Sequence, residues 1–153
     1  MVTLKHFSHA DVPDLRQSRY ADLPAGEIVG MIDAWNSREY QGRYFEMLAI
    51  VADGRLVGMI SLYQRSASVV SVGPEVFPAF RRQGFGKEAM RQALILAREK
   101  GYRIAAQQVR CDNLPSIALH RSLGFETDDQ VCINRKGHPV FSFLKALLPQ
   151  NGA

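Results

Sequence analysis

The chain has 153 residues, of which 46% are hydrophobic and 22% are charged, and its net charge is +4 at pH 7. This length suffices for one hydrophobic core without metals or disulfides, and the apolar content excludes an intrinsically disordered chain. No apolar run approaches the roughly 20 residues that a membrane-spanning helix requires, which argues against a membrane-embedded protein.

The charge is distributed unevenly. Residues 81–121 contain nine basic and three acidic side chains, whereas residues 1–80 contain seven and nine. Such a basic segment is either a solvated helix face or the place where an anionic ligand binds. The N-terminus lacks the pattern of a secretory signal, and two cysteines, Cys111 and Cys132, are too few for a disulfide framework. We therefore expect one domain, residues 1–153, in a reducing cytoplasm.

The first half of the chain predicts a strand, two helices and a hairpin. The stretch VTLKHFS alternates in the way that is typical of a strand. Residues 10–38 change to helical spacing, with a break near Asp22 that predicts two short helices. Residues 44–64 have strand patterns on both sides of Asp53-Gly54, the strongest turn signal in the chain, and predict a hairpin.

The next strand, SVVSVGPEVFP, is interrupted by Gly73 and Pro74. Glycine weakens a strand, and proline donates no hydrogen bond to a ladder. We therefore expect this strand to bulge or to lose pairing near its end.

The second half alternates between helices and strands. Residues 84–100 form the strongest predicted helix, the stretch YRIAAQQVR predicts a strand, and NLPSIALHRSLGF predicts a helix that Asn113 caps and Gly124 ends. Residues 126–145 then predict two strands. The whole order of elements is typical of an α/β arrangement with a mixed sheet.

The stretch FRRQGFGKEAM connects the interrupted strand to the strongest helix. Glycines before a helix expose backbone N–H groups, and the helix dipole adds to their attraction for a phosphate. A nucleoside-triphosphate P-loop is excluded, because Glu88 follows Lys87 and the glycine spacing is too short. The dinucleotide fingerprint is matched by Gly84, Gly86 and Ala89, and it stays open as an alternative although PAFRRQ separates these glycines from the strand.

The same stretch resembles the coenzyme A cradle of the GCN5-related N-acetyltransferase (GNAT) family. The family's signature, [RQ]-x-x-G-x-[GA], is present from Arg81 to Gly86 and follows a V-x-P element at residues 76–78. The stretch NLPSIALHRSLGF resembles the later element N-x-x-[AS]-x-x-x-Y-x-x-x-G-F, with Asn113 and Ser116 in place. The predicted order of strands and helices is the family's order over nearly the whole chain.

The resemblance implies a single α/β (α+β) domain of the GNAT type. Its sheet is expected to be mixed, mostly antiparallel and six- to seven-stranded, to be flanked by about four helices, and to be splayed at the strand before the Gly-rich turn. In the family, that strand pairs with the pantetheine arm of coenzyme A and the turn binds the pyrophosphate. By position, the cofactor-binding residues are Pro74, Glu75 and Val76 on the strand, Arg81, Arg82, Gln83, Gly84, Phe85, Gly86 and Lys87 in the turn, and Asn113 and Ser116 in the later element.

The activity implied by the resemblance is acetyl transfer from acetyl-CoA to a primary amine by direct attack. A lysine-type amine has a pKa of about 10.4, so a base must take its proton and a donor must assist the leaving thiolate. The family usually has a tyrosine as that donor, and the matching residue here is His120. A neutral His120 could relay a proton, a cationic one could stabilise the thiolate, or the ring could merely pack on its helix. Tyr40, Tyr44 and Tyr63 are other sources of a hydroxyl.

Glu75 is the candidate base, because the stretch AAQQVRC has no carboxylate; a solvated carboxylate at the rim is the alternative. Cys111 is interpreted as a packing residue. The histidines at positions 6, 9 and 138 have no metal-ligand spacing, and we expect no metal.

The acceptor implied is an amine on a small molecule or a peptide, and the acidic composition of residues 10–46 suits a cationic amine. The alternative function is a non-catalytic coenzyme A binding or regulatory module, which the histidine at position 120 supports. Nucleic acid is not an expected partner, because the arginines lie in the phosphate motif without interleaved aromatic residues. We expect no membrane partner, and either a monomer or a homodimer.

Overall fold

The computed structural model describes residues 1–148. They contain the helices α1 (Val12–Ser18), α2 (Ala25–Asn36), α3 (Phe85–Glu99) and α4 (Leu114–Ser122). The strands are β1 (Val2–His6), β2 (Glu39–Tyr40), β3 (Arg43–Ala52), β4 (Arg55–Gln64), β5 (Val69–Val76), β6 (Ile104–Arg110), β7 (Cys132–Ile133) and β8 (Pro139–Ala146). Short 3-10 turns lie at His9–Asp11 and Pro78–Phe80.

The strands form one mixed sheet in the order β1-β3-β4-β5-β6-β8-β7, with β2 paired to β3. All neighbouring strands are antiparallel except β5 and β6. The predicted α/β fold with four helices and a mixed, mostly antiparallel sheet is confirmed. The sheet has eight strands instead of six to seven, because β2 has only two residues and shows no alternation in the sequence.

The strands β5 and β6 are paired only where they begin. Their parallel register contains two pairs, Val69 with Ile104 and Val70 with Ala105, after which the strands diverge. On its other edge, β5 stays paired with β4 in unbroken register. The expectation that β5 would bulge or lose pairing is therefore confirmed in its second form, on the edge that faces β6, and β5 has no bulge against β4.

Pro74 leaves the ladder between β4 and β5 intact because of the direction of its nitrogen. The N–H of Phe77 donates to the carbonyl oxygen of Val57 at 2.9 Å. Along an antiparallel ladder, alternate residues direct their N–H and C=O groups to the same neighbour. The main chain of Glu75 therefore faces β4, and that of Pro74 and Val76 faces the open side, where the missing N–H of the proline costs no hydrogen bond.

Two hydrophobic clusters lie on opposite faces of the sheet. One packs α3 and α4 against it and includes Ala89, Ala93 and Ala97, whose small side chains let α3 lie close to the strands. The other packs α1 and α2 against the opposite face and includes Ile28 and Ile32. The strand residues of this second cluster belong to β3 and β4. On the same side of the sheet, β6 and β8 contribute no residue to this second cluster.

Candidate active site

The Gly-rich turn places a helix N-terminus next to the end of β5. Gly84, the residue before α3, has a φ of +82°, a left-handed conformation that glycine adopts at no steric cost. No side chain of residues 1–148 caps α3. Its first internal hydrogen bond runs from the N–H of Glu88 to the carbonyl oxygen of Gly84 at 3.2 Å. The amides before it, including those of Gly86 and Lys87, have no partner inside the helix and are available to an anion.

Two arginines lead into this turn. The Nε of Arg81 donates to the carbonyl oxygen of Val76 at 3.0 Å, so this side chain fastens the turn to the end of β5. Arg82 has a φ of +65°, which is uncommon for a residue with a β-carbon. Gln83 is exposed and Phe85 is half-buried. The turn thus presents a basic, accessible surface at the positive end of α3.

The open edge of β5 and the turn form one continuous surface, the cradle, which we define as residues 74–76 and 81–87. A β-carbon on Gly86 would lie 3.3 Å from Cγ2 of Val76, so the first turn of α3 packs directly on the strand. The residues predicted to bind the arm and the pyrophosphate are therefore adjacent. Within the strand, the main chain of Glu75 faces β4. The groups left on the open edge are the carbonyl of Pro74 and the N–H of Val76, since the carbonyl of Val76 accepts from Arg81.

Gly58, which is not among the predicted site residues, controls the distance between β4 and β5. A β-carbon at this position would lie 2.4 Å from the carbonyl oxygen of Glu75 and 3.0 Å from Cα of Val76. No other residue allows the two strands to approach so closely without a shift of the backbone. The sequence feature that could have identified Gly58 is a glycine inside an otherwise apolar strand.

The side chain of Glu75 lies on the face of the sheet that α1 covers. Its Oε2 accepts a hydrogen bond from Nε of Arg19, the residue after α1, at 2.6 Å. Both side chains are partly exposed. A carboxylate is thus present beside the cradle, but a guanidinium already engages it.

His120 lies on the other face of the sheet, and its side chain is only 1% exposed. Its ring packs on those of Phe125 and Phe143, with centroid distances of 5.0 and 5.6 Å. The Nδ1 lies 2.8 Å from the carbonyl oxygen of Ser116; because a carbonyl only accepts, Nδ1 carries the proton. The Nε2 is buried and has no hydrogen-bond partner among residues 1–148.

Burial lowers the pKa of His120, and the hydrogen bond to Ser116 opposes this only in part. The ring is therefore neutral at pH 7, and Nε2 offers a lone pair instead of a proton. Among the roles considered for His120, the structure favours a neutral ring with an acceptor at Nε2 over a cation, and its part in catalysis stays a prediction.

Asn113 and Ser116 begin α4. The Oδ1 of Asn113 accepts from the N–H of Ser116 at 3.1 Å, which confirms the predicted cap. Ser116 in turn orients the ring of His120 through its carbonyl group. Contact of either residue with coenzyme A stays a prediction.

Gln107 reaches into the gap between β5 and β6. Its Nε2 lies 3.3 Å from the position of a β-carbon on Gly73, and Oγ of Ser61 lies 3.5 Å from the same position. In the sequence, the stretch that contains Gln107 is informative only in having no carboxylate. The amide of this glutamine is a polar group in the gap that spacing along the sequence does not reveal.

A groove of about 1290 Å³ lies on the face opposite α3, and Gln107 belongs to its lining. Tyr40 and Tyr63 also line it, with ring centroids 6.1 Å apart. The hydroxyl of Tyr44 instead donates to Glu46 on the α3 side of the sheet. The structure thus separates the three tyrosines, and two of them lie on the side where an acceptor has room.

Three acidic side chains of residues 10–46 are engaged by neighbours in the described part of the chain. Asp11 accepts from the N–H of Ser8 at 2.8 Å, and Asp33 pairs with His9 at 2.7 Å. Glu46 is buried on the α3 face. None of the acidic residues in this segment belongs to the lining of the groove as the described residues form it. The groove thus receives no acidic side chain from residues 10–46 as described, and the suitability of this segment for a cationic amine stays a prediction.

The family model described as "Acetyltransferase (GNAT) family" matches residues 11–125, a range that contains both sequence elements and the cradle. The chain belongs to this family. The GNAT fold of the domain is also found in the structure of yncA, a putative acetyltransferase from Salmonella typhimurium with its cofactor acetyl-CoA. That structure aligns with a TM-score of 0.70 at 17% identity, covering 98% of this chain and 96% of the other.

Two relatives match in sequence. The SPbeta prophage-derived uncharacterized N-acetyltransferase YokL of Bacillus subtilis (strain 168) is 30% identical over 100 residues, which cover 63% of this chain and 56% of the relative. An aminoglycoside N(6')-acetyltransferase type 1 of Acinetobacter haemolyticus is 39% identical over 59 residues, covering 39% of this chain and 41% of the relative. The chain therefore spans about half the length of the relatives that it matches.

Within residues 1–148, no helix is long and apolar enough to cross a membrane. The same part of the chain contains no group of three or more histidine, cysteine, aspartate or glutamate side chains placed to bind a metal ion.

Proposed function

We propose that this GNAT domain transfers an acetyl group from acetyl-CoA to a primary amine. The observation that carries the proposal is the cradle: the main chain of Pro74 and Val76 faces an open edge, next to the uncapped N-terminus of α3. Free main-chain groups suit the amides of the pantetheine arm, and the first-turn amides suit a pyrophosphate. The residues present therefore fit coenzyme A.

The basic residues of the cradle support the same assignment. Arg82 and Lys87 extend the positive region around the helix N-terminus, and Arg81 keeps the end of β5 next to it. An anion at such a helix end gains about 0.3–1 kcal/mol from the dipole at low ionic strength. Gln83, Gly84, Phe85 and Gly86 complete the turn.

Acetyl-CoA supplies an activated acyl group, and the chain has to position it and move one proton. We propose that the neutral ring of His120 performs the transfer, because its bare Nε2 can accept a proton and its Nδ1–H is held by Ser116. In the proposed step the amine nitrogen bonds to the acyl carbon and the carbon–sulfur bond breaks. The proton lost by the amine passes to Nε2 and then to the thiolate, so protons and charges balance.

Glu75 is proposed as the residue that first deprotonates the incoming ammonium group, directly or through water. It is the only carboxylate on β5, and its position on the α1 face differs from the position of His120. Because Arg19 donates a hydrogen bond to Glu75, we expect substitution of this arginine to change the deprotonation step as well. The single-domain organisation and a cytoplasmic location remain predictions as well.

Thermal shift with acetyl-CoA, CoA and NADPH tests the cradle, since a bound ligand stabilises the folded state by mass action. Both coenzyme A forms are expected to raise the melting temperature; a shift with NADPH alone would indicate a dinucleotide site instead. Thiol release on a panel of amines then tests catalysis. Binding of CoA without thiol release from any amine would favour the non-catalytic module.

A further inference from the structure

The groove on the face opposite α3 has an unbalanced charge. Four cationic side chains line it, at positions Arg43, Arg65, Arg135 and Lys136, and no aspartate or glutamate belongs to its lining within the described residues. All four are exposed, and no carboxylate of residues 1–148 lies within 4.0 Å of their charged atoms. Their charges therefore act on whatever enters the groove.

Two of these cations are oriented by the protein. The Nε of Arg65 donates to Oγ of Ser71 at 2.8 Å, and its guanidinium lies 5.3 Å from the ring centre of Tyr63. Arg43 donates from one guanidinium nitrogen to the carbonyl oxygen of Arg65 at 2.7 Å. Each guanidinium has five N–H donors, so most remain free to bind carboxylates. Arg135 and Lys136 lie in the turn between β7 and β8, on the opposite rim.

The groove leads to the place where acetyl transfer is proposed. Gln107 lines the groove and also reaches the gap between β5 and β6, where its amide lies near Gly73. The open edge of β5 borders the same gap. A molecule that lies in the groove can therefore direct an amine into the gap while the rest of it stays among the cations.

The size and the remaining lining indicate a peptide. The volume of about 1290 Å³ exceeds the roughly 300–1,000 Å³ of pockets that enclose small ligands. The exposed apolar side chains of Tyr40, Ile133 and Leu144 also belong to the lining. An extended segment with both carboxylates and apolar side chains matches this combination, because it can occupy both rims at once.

We infer that the acceptor is an amine on an acidic peptide segment, whose carboxylates bind the cationic rims of this groove. The inference rests on the proposed acetyl transfer and names its substrate class. It also distinguishes this chain from an enzyme for aminoglycosides, since a polycationic acceptor would be repelled by four unpaired cations.

Two series of octapeptides test the inference through thiol release from acetyl-CoA. One series has a free N-terminal amine, and the other has a blocked N-terminus and one central lysine. In each series the flanking positions carry four aspartates, four serines or four arginines; arginine adds charge without a second primary amine. We expect kcat/KM to fall from the aspartate to the serine to the arginine peptide, by about tenfold overall at low salt, and the difference to shrink as salt screens the charges.

Charge reversal identifies the surface responsible. Arg135→Glu is expected to raise KM for the aspartate peptide about fivefold and to leave kcat and the KM for acetyl-CoA unchanged. Arg103→Glu makes the same charge change at an exposed residue outside the groove and is the matched control. Equal effects of the two variants, or equal kcat/KM for the aspartate and arginine peptides, would overturn the inference while leaving acetyl transfer intact.

Fluorescence anisotropy of labelled peptides separates this inference from the proposed function. Binding of the aspartate peptide that Arg135→Glu weakens, without thiol release from any amine, would remove the proposed activity and keep the acidic-peptide site. If the aspartate peptide does not bind and the peptides do not differ in kcat/KM, the proposed acidic-peptide site is refuted. Gel filtration completes the test: a dimer that Ile133→Glu dissociates without changing peptide preference would identify the groove as a contact between copies and overturn the inference.

Discussion

The Nδ1–H of His120 donates to the carbonyl oxygen of Ser116, one turn earlier on α4, at 2.8 Å. This hydrogen bond determines which ring nitrogen carries the proton in a side chain that is 1% exposed. Nε2 of His120 presents a lone pair, whereas the tyrosine expected here from the resemblance would present a hydroxyl donor. The role proposed for His120 therefore begins with acceptance of a proton at Nε2.

His120→Phe is expected to lower kcat for amine acetylation by about 100-fold, the lower end of the usual contribution of general acid–base catalysis, with little change in the KM for acetyl-CoA. His120→Tyr introduces the residue usual in the family and is expected to retain more activity than His120→Phe. The measurement is thiol release across pH 6–9. An undiminished rate in His120→Phe would show that the ring only packs.

The same side chain predicts a pH dependence of stability. Burial lowers the pKa of His120 in the folded state, so the unfolded chain takes up a proton near its ordinary pKa of about 6.5 while the folded chain does not. Stability is therefore complete above that pH and decreases as the pH falls below it. Thermal denaturation between pH 7 and pH 5 should show a steeper loss for the wild type than for His120→Phe. Parallel pH profiles would contradict this.

Gly58→Ala is expected to destabilise the fold and to weaken binding of acetyl-CoA, because its β-carbon would lie 2.4 Å from a carbonyl oxygen of β5. Overpacking of this kind costs about 1–3 kcal/mol. Gly30→Ala in α2 is the matched control: a β-carbon there meets no atom within 4 Å, and the change should stabilise the helix by up to about 1 kcal/mol. Urea denaturation and isothermal calorimetry measure the two effects. Equal stability of the two variants would refute the proposed close approach.

Gly84→Ala is expected to weaken acetyl-CoA binding, since a side chain at a φ of +82° is strained by about 1–2 kcal/mol and shifts the first turn of α3. Gly137 has the same φ of 82° in the turn before β8, far along the chain from the cradle. Gly137→Ala should therefore show a similar loss of stability with unchanged affinity for CoA. Calorimetric titration compares the two, and equal loss of affinity would remove the turn from the binding site.

Substitution of Glu46 is expected to lower the stability of the fold without affecting catalysis. Burial alone would raise its pKa, but hydrogen bonds from Tyr44 and His6, together with the charge of Lys100, lower it overall. Because the partners of Glu46 are partly exposed and can be solvated once it is removed, Glu46→Ala is expected to cost about 1–2 kcal/mol through the lost hydrogen bonds and packing. The cluster includes Lys100, beyond the C-terminal end of α3, whereas the cradle is at the N-terminal end. Thiol release well below the unfolding temperature should be unchanged, and a reduced kcat would link the cluster to the site.

The local elements and the cofactor motif were predictable from the sequence because they depend on neighbours in the chain. Turn residues, helical periodicity and the cap at Asn113 act within a few positions, and the Gly-rich stretch carries its own spacing. β2 was missed because two residues show no periodicity. The gap between β5 and β6 was predicted from Gly73 and Pro74, although its one-sided form depends on which neighbour each main-chain group faces.

The sequence by itself determined an α/β domain of the GNAT family with a cradle before its strongest helix, since these features are local or are carried by motifs. Only the tertiary structure decided that Glu75 pairs with Arg19, that Nε2 of His120 has no partner among the described residues, and that four of their cations line one groove. Each of these depends on side chains distant in the chain that meet across the sheet. Burial and pairing then set their charge and protonation, which spacing along the chain does not encode.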